Sequence, residues 1–475
     1  MTQIQNLIAG ESTGAAQVER RNPADPSDLV AITPSSTAAD VDAAVTAAAD
    51  AQAAWAARTP VARGAILLDA ADLLRRRHAD IARDLTREEG KTLAEATGEV
   101  RRAIDVLRFF GAAGWRSQGE TLPSGVPDTA VYLRSEPLGV VGLITPWNFP
   151  IAIPAWKMAP ALISGNAVVI KPAELTPLSV HHLVRALTDA GLPPGVLNVV
   201  HGSGRVAGDA LVRDRRVAGV SFTGSTGVGN AIRDVVNARH ARVQLEMGGK
   251  NAYLVLDDAD PDRAARIVAA GGFGLTGQAC TATSRVYVTP GVLDAFVKAL
   301  RDQAAAIRVG DGLAAETTMG PVVSQDQLAK DVAAIEQAAA AGYDVGEVAE
   351  PSGLHLPPVV VSGVAHGSPL AREEVFGPVI AVVDVEDYEQ GLAHVNDSSY
   401  GLTAGVCTND LSRAYDFAAR ARVGVVKVNR PTAGLDLNVP FGGVGDSSTN
   451  TFREQGTRAV DFYTWTKSVY IGHDR

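Results

Sequence analysis

From Gly139 onward the chain alternates short apolar runs with stretches of helical periodicity, and that rhythm most narrows what it can fold into. GVVGLI, AVVIKP, VLNVVHG and AGVSFTGS read as strands. Helical segments from Ala155 to Ser164, Pro177 to Ala190 and Val206 to Arg213 separate them, and another follows near Gly227 to Val236. Strands alternating with helices of about ten to fifteen residues make βαβ units around a parallel sheet, which binds ligands at the carboxyl ends of its strands. A second run of the same kind follows Glu246, with strands AYLVLDD, RVYVT, PPVVVSG, FGPVIAVVDV, AGVCTND and GVVKVN. The expected fold class is α/β.

Upstream, residues 1–36 read as one or two edge strands, Ala38 to Ala57 as a helix, and Val61 to about Trp115 as several amphipathic helices. Residues 119–136 carry prolines, glycines and an alternating AVYLR, the mark of a hairpin-like excursion. The β-branched and aromatic tail from Ala459 to Ile471 is expected to pair with that excursion or with a second subunit.

Composition excludes several classes. The 475 residues hold 43 Lys+Arg against 53 Asp+Glu, with no basic stripe, so nucleic acid is not an expected partner. Cys280 and Cys407 are the only cysteines, too few for a disulfide framework. No apolar run reaches the roughly 18 residues of a membrane span. The N-terminus lacks the basic-then-apolar pattern of a secretory signal. A cytoplasmic setting is expected, and no metal site.

Within this frame a few stretches carry chemistry. In Gly271 to Thr289, GGFGLTGQACTATSRVYVT, small residues flank Cys280; its thiol is either an accessible nucleophile or a small buried hydrophobe. SFTGSTGVG keeps the turn into a helix bare around Gly224 and Ser225, so backbone N–H groups face an anion, or the turn is merely tight. Lys171 and Glu174 in VVIKPAE suit ribose hydroxyls or a surface ion pair. Glu246 in QLEMGGKNA is a general base or a carboxylate satisfied by backbone amides. Asn148 in TPWNFP offers a fixed N–H for an oxyanion, or belongs to a packed aromatic turn. EEVFGP and NVPFGG each set an aromatic beside glycine and proline at an element end.

Taken in order, WNFP, KPAE, FTGSTGVG, LEMGGKN, GQACTATSR, EEVFGP and PFGG resemble the aldehyde dehydrogenase superfamily, from about Leu138 to the C-terminus. The resemblance implies a Rossmann-like cofactor domain (1–118 and 137–246), an α/β catalytic domain (247–445) and a β oligomerisation arm (119–136 and 446–475). It implies Cys280 as nucleophile, Asn148 and the Cys280 amide as oxyanion donors, and Glu246 as the base that activates the hydrolytic water. Glu246 also separates hydrolytic members from acyl-CoA-forming ones, so a carboxylic acid is the expected product. The cofactor would be NAD, with NADP possible, held by Thr145, Pro146, Trp147, Lys171, Glu174, Gly224, Ser225, Glu374 and Phe376.

For substrate, the resemblance points to Phe149, Ile153, Trp156, Ala279 and Thr281. The loop VNRPTAGLDLNVPFGG looks like that of enzymes oxidising 2,5-dioxopentanoate, with Arg430 or Arg285 as a carboxylate anchor or as a structural ion pair. Ile153 and Trp156 supply no charge, which suits an aromatic or aliphatic aldehyde instead. Succinate semialdehyde and a catalytically silent binding protein are further alternatives. The family's usual lysine after PFGG is replaced by VGDSSTN. A homodimer or homotetramer is expected.

Overall fold

The computed structural model describes residues 1–116 and 119–473. Residues 117 and 118, at the expected first boundary, and the last two residues of the expected arm lie outside this range.

Two large sheets organise the chain. The first has seven strands, in spatial order Arg242–Glu246, Val217–Thr223, Val140–Ile144, Ala167–Lys171, Leu197–Val199, Asn6–Ile8 and Glu11–Thr13. The five strands from the alternating region run parallel. The N-terminal hairpin adds to the edge antiparallel. The N-terminal stretch thus supplies more strands than expected, for Thr2–Gln3, Val18–Arg21 and Leu29–Thr33 form a further three-stranded sheet. Val140–Ile144 and Ala167–Lys171 are buried along their whole length because helices cover both faces, which is why they read as unbroken apolar runs. Helices Pro60–Arg76, Leu93–Gly111, Ala152–Ile163 and Pro177–Asp189 build one flank, and Ala38–Ala57 and Thr226–Ala238 pack on the other.

The second sheet has six parallel strands, ordered Val359–Val361, Val379–Asp384, Arg285–Val288, Ala252–Val255, Thr403–Cys407 and Val425–Val428. Helices Pro261–Phe273 and Leu293–Ala305 cover one face, and Gln325–Ala340 and Tyr388–Asn396 the other.

The tail strand Thr464–Gly472 lies antiparallel along Thr129–Pro137 over nine residue pairs, with Thr121–Leu122 on the far side. The segment ahead of it does something else. Phe462 and Tyr463 are buried in the core of the first sheet, Ser447 and Ser448 bond to the segment around Glu246, and Glu454 reaches Lys157. Only the last strand of the expected 446–475 arm therefore belongs to the small sheet.

Register puts the chemistry in one place. Ile144 pairs with both Lys171 and Phe222, and Thr223 with Glu246, so the carboxyl ends of four strands share one edge. The second sheet presents the opposite end: Asn251, just before Ala252–Val255, donates to the carbonyls of Cys280 (2.7 Å) and Ala282 (2.9 Å).

Candidate active site

The Cys280 loop is built from an unusual backbone. The helix Pro261–Phe273 runs straight through Gly271 and Gly272. The turn comes later, where Leu275 and Thr276 adopt φ of 54° and 57°. Gly277 follows at φ 68°, and a Cβ there would lie 2.1 Å from the Gly377 carbonyl oxygen. Non-glycine residues in this region cost about 1–3 kcal/mol each and persist only where their surroundings hold them. Here Thr276 Oγ1 donates to Gly320 O at 3.1 Å, and Gln278 Oε1 accepts from Val323 N at 2.9 Å. Beyond Cys280, Thr432 Oγ1 donates to Thr281 O at 2.7 Å and pairs with Thr283 Oγ1 at 2.8 Å.

A cavity of about 330 Å³ brings Cys280, Glu246 and Asn148 together. Pro146, Trp147, Gly224, Ser225, Glu374 and Phe376 also line it, as do Ile153 and Trp156. The Asn148 carboxamide is buried and spends one N–H on Gln278 O at 2.9 Å, which leaves the other for a ligand. The half-buried Cys280 thiol is pushed up to about 12, by burial first and then by Glu246, Glu374 and Glu454; its own backbone amide acts the other way. The thiol is therefore protonated at neutral pH and needs a base to become a nucleophile. Glu246, at the end of its strand, is likewise held well above the usual carboxylate range. Burial is the main cause and Glu454 the next, opposed by Lys157, Arg453 and a long 3.4 Å bond from Ser448 Oγ. Its Oε2 has no partner, which fits a group waiting for a proton.

Behind Glu246 runs a buried chain absent from the sequence expectations. Lys157 Nζ is paired with Glu454 Oε1 and donates to Ser221 Oγ at 2.8 Å, and Ser221 donates to Gln244 Oε1 at 2.9 Å. One signal was available: Lys157 is the single charged residue in AIPAWKMAPALI. Glu454 carried none, since it reaches Lys157 from 297 positions away.

At the other end, Phe376 sits at φ 67° and meets Trp147 edge-on, centroids 5.5 Å apart. Glu374 Oε1 accepts from Gly249 N at 2.9 Å, an approach that Gly248 permits because a Cβ there would overlap the carboxylate. Gln327 and Lys330, also missed, line the cavity from the helix Gln325–Ala340. Gln327 Nε2 donates to Val375 O at 3.0 Å and to Asp331 Oδ1 at 2.8 Å.

The remaining expected residues lie apart. Lys171 is buried at its strand end, its ammonium lowered by burial and partly restored by the exposed Glu174. Thr145 is buried, its amide on Lys171 O at 3.3 Å and its hydroxyl without a partner. Neither Lys171, Glu174 nor Thr145 lines the cavity around Cys280. Phe149 and Thr281 do not line it either: Phe149 lies under the Lys91 ammonium at 4.7 Å, and Thr281 is fixed by Thr432. Ala279 is buried beside the thiol. Arg430 is exposed past the edge strand Val425–Val428, outside the cavity wall, so it is not placed to anchor a substrate there. Arg285 is excluded too, because its guanidinium is buried on the carbonyls of Lys250, Ala371 and Val395 and on Tyr287 Oη. Cys407 is buried within its strand.

Known proteins match the chain along almost its whole length. A family model described as the aldehyde dehydrogenase family matches residues 10–469. The α-ketoglutarate semialdehyde dehydrogenase of Haloferax volcanii is 46% identical, covering 98% of each chain. The 2,5-dioxopentanoate dehydrogenase of Saccharolobus solfataricus is 44% identical over 95% of each. Among solved structures, a betaine aldehyde dehydrogenase from Staphylococcus aureus in complex with NAD+ superposes with a TM-score of 0.95 at 31% identity, covering 99% of this chain and 95% of that one. With a thiol, a buried carboxylate and a carboxamide facing one cavity at the edge of a parallel sheet, the chain belongs to the aldehyde dehydrogenase family.

Proposed function

We propose that this enzyme oxidises 2,5-dioxopentanoate to the dicarboxylic acid, using NAD and, second to it, NADP. The observation that carries the chemistry is the single cavity shared by Cys280, Glu246 and Asn148. The names of the two relatives at 44–46% identity support the substrate.

The donor set suits a dinucleotide. Ser225 caps the helix Thr226–Ala238 without spending its side chain on it, so that hydroxyl and the first-turn amides are available to a pyrophosphate. Lys171 and Glu174 would take the adenosine ribose, Glu374 the nicotinamide ribose, and Trp147 and Phe376 the ring. When bound, the oxidised nicotinamide accepts the hydride of the substrate carbon.

The chain's own groups do the rest. The Cys280 proton passes to Glu246 as the sulfur adds to the aldehyde carbon, and the resulting oxyanion is held by Asn148 Nδ2–H and the Cys280 amide. Loss of hydride leaves a Cys280 thioester. Once Glu246 has released that proton it takes one from water, the hydroxide adds to the thioester, and collapse expels the Cys280 thiolate, which regains its proton from Glu246 as the acid departs. Lys157 and Glu454 give Glu246 a place to pass its proton.

One observation favours a second reading. Ile153, Trp156 and Phe441 make an apolar wall, and no arginine lines the cavity among the described residues; that suits an aromatic or aliphatic aldehyde. Rates of reduced-cofactor formation on 2,5-dioxopentanoate, succinate semialdehyde and benzaldehyde, beside Cys280→Ala, decide between them. A higher kcat/KM on benzaldehyde than on either semialdehyde would overturn the first reading. The division into cofactor, catalytic and arm units is part of the same reading, as is a cytoplasmic homodimer or homotetramer. Assembly is supported by the exposed Tyr470 and Ile471 on the tail strand.

A further inference from the structure

Asn148 and Cys280 belong to segments hung on different sheets, so no shared strand ladder sets the distance between them. Oxyanion stabilisation depends on donors held in place before the charge appears, and misplacement of even 1 Å weakens it. Something else must fix the gap. The N-terminal turn of the helix Leu93–Gly111 reaches both segments.

Lys91, fully buried just ahead of that helix, donates to Asn148 O at 2.7 Å and to Glu99 Oε2 at 2.7 Å. Glu99 Oε1 accepts the amides of Ile151 (3.0 Å) and Ala152 (3.1 Å), which anchors the start of the helix that follows the Asn148 turn. Glu95 reaches the other way. Its Oε2 closes a capping box with Thr92, and its Oε1 accepts from Leu275 N at 2.8 Å, at the first left-handed residue of the Cys280 loop. The bond from Asn148 Nδ2 to Gln278 O closes a ring that runs 91–148–278–275–95 and back along the helix. Every carboxylate oxygen of Glu95 and Glu99 is used, and a fully satisfied buried network is rigid.

We propose that Lys91, Glu95 and Glu99 are positioning residues that set the Asn148 carboxamide against Cys280. The proposal rests on the oxyanion role given to Asn148 above.

A double-mutant cycle tests it. Lys91→Met/Glu99→Gln removes both charges yet keeps an oxygen for the Ile151 and Ala152 amides. Its kcat is expected to fall about 10- to 100-fold, part of the roughly 100-fold or greater loss expected for Asn148→Ala. KM for NAD should not move. Placed in the Asn148→Ala background, the paired change should add less than about threefold, because residues acting through one another are not additive. Losses that multiply in full, or an unchanged kcat with only a lowered Tm, overturn the proposal while leaving the oxyanion role intact. A silent Asn148→Ala overturns both. Should the paired variant not fold, Glu95→Gln, on a half-buried carboxyl, removes one of two acceptors and runs the same cycle. It is expected to lose about three- to tenfold in kcat, and no loss would overturn the proposal.

Discussion

Two buried lysine–carboxylate pairs flank the candidate site, and they differ in what they leave open. Lys91 and Glu99 stand beside Asn148, and their bonds end on backbone groups: Asn148 O, Ile151 N and Ala152 N. Lys157 and Glu454 stand beside Glu246 and end on side chains, Ser221 and Gln244. Glu454 Oε2 and Glu246 Oε2 remain without partners. The first arrangement has no vacancy through which a proton could be passed. The second has two. The same residue types thus end on backbone groups in one place and leave carboxylate oxygens open in the other, the difference on which the proposed bracing and proton-accepting roles rest.

That contrast can be broken, and the largest effect should come from Glu246→Gln. Steady-state turnover is expected to fall about 10²- to 10⁴-fold through loss of the general base. The burst of reduced cofactor should be lost as well, since Glu246 also takes the Cys280 proton before the thioester can form. A burst of one equivalent would show that another group can take the Cys280 proton.

Next in size are the two lysines. Lys91→Met and Lys157→Met each strand a buried carboxylate, at a cost of about 3–5 kcal/mol seen as a lowered Tm. The pH–rate profile separates them. Lys157 lowers the Glu246 pKa, so its removal should move the acidic limb to higher pH; Lys91→Met should leave that limb in place. Equal shifts in both variants would erase the distinction between brace and path.

Stability against pH gives a smaller effect, at Glu89 next to the brace. Glu89, beside Lys91, is pushed up to about 7 by burial, against the pull of Lys91. A carboxyl raised in the folded state contributes stability below its unfolded value, which is lost as pH rises through the folded one. Between pH 5 and pH 8 wild type should therefore lose about 2 kcal/mol relative to Glu89→Gln, measured by urea unfolding at each pH. A constant difference would place the Glu89 titration elsewhere.

The gentlest test uses the ligand-free enzyme. With its thiol pushed up to about 12, Cys280 should react slowly with iodoacetamide at pH 7 and ever faster up to pH 10. A plateau below pH 8 would mean a preformed thiolate and no need for Glu246 in the first half-reaction.

The sequence displayed the parallel sheets because buried βαβ strands read as apolar runs such as GVVGLI and AVVIKP. It displayed the glycine-flanked Cys280 and the strand-terminal Glu246 because local backbone geometry demands small residues and element ends there. Lys91, Glu95, Glu99 and Glu454 were silent, since a charged residue on a helix face or in a loop looks the same whether it meets water or a partner far along the chain. The arginines failed for that reason in reverse. Arg285 opens a strand and Arg430 follows one, both near suggestive motifs, yet one is spent on carbonyls and the other faces solvent.

By itself, then, the sequence displayed the two α/β runs, their order and the candidate reactive groups, because periodicity and turn chemistry are local. Tertiary structure alone decided which buried lysine ends on backbone and which on side chains, and that no arginine among the described residues lines the cavity. Those outcomes depend on burial and on partners far apart in sequence, up to 297 residues for Lys157 and Glu454, and a linear pattern does not encode such encounters.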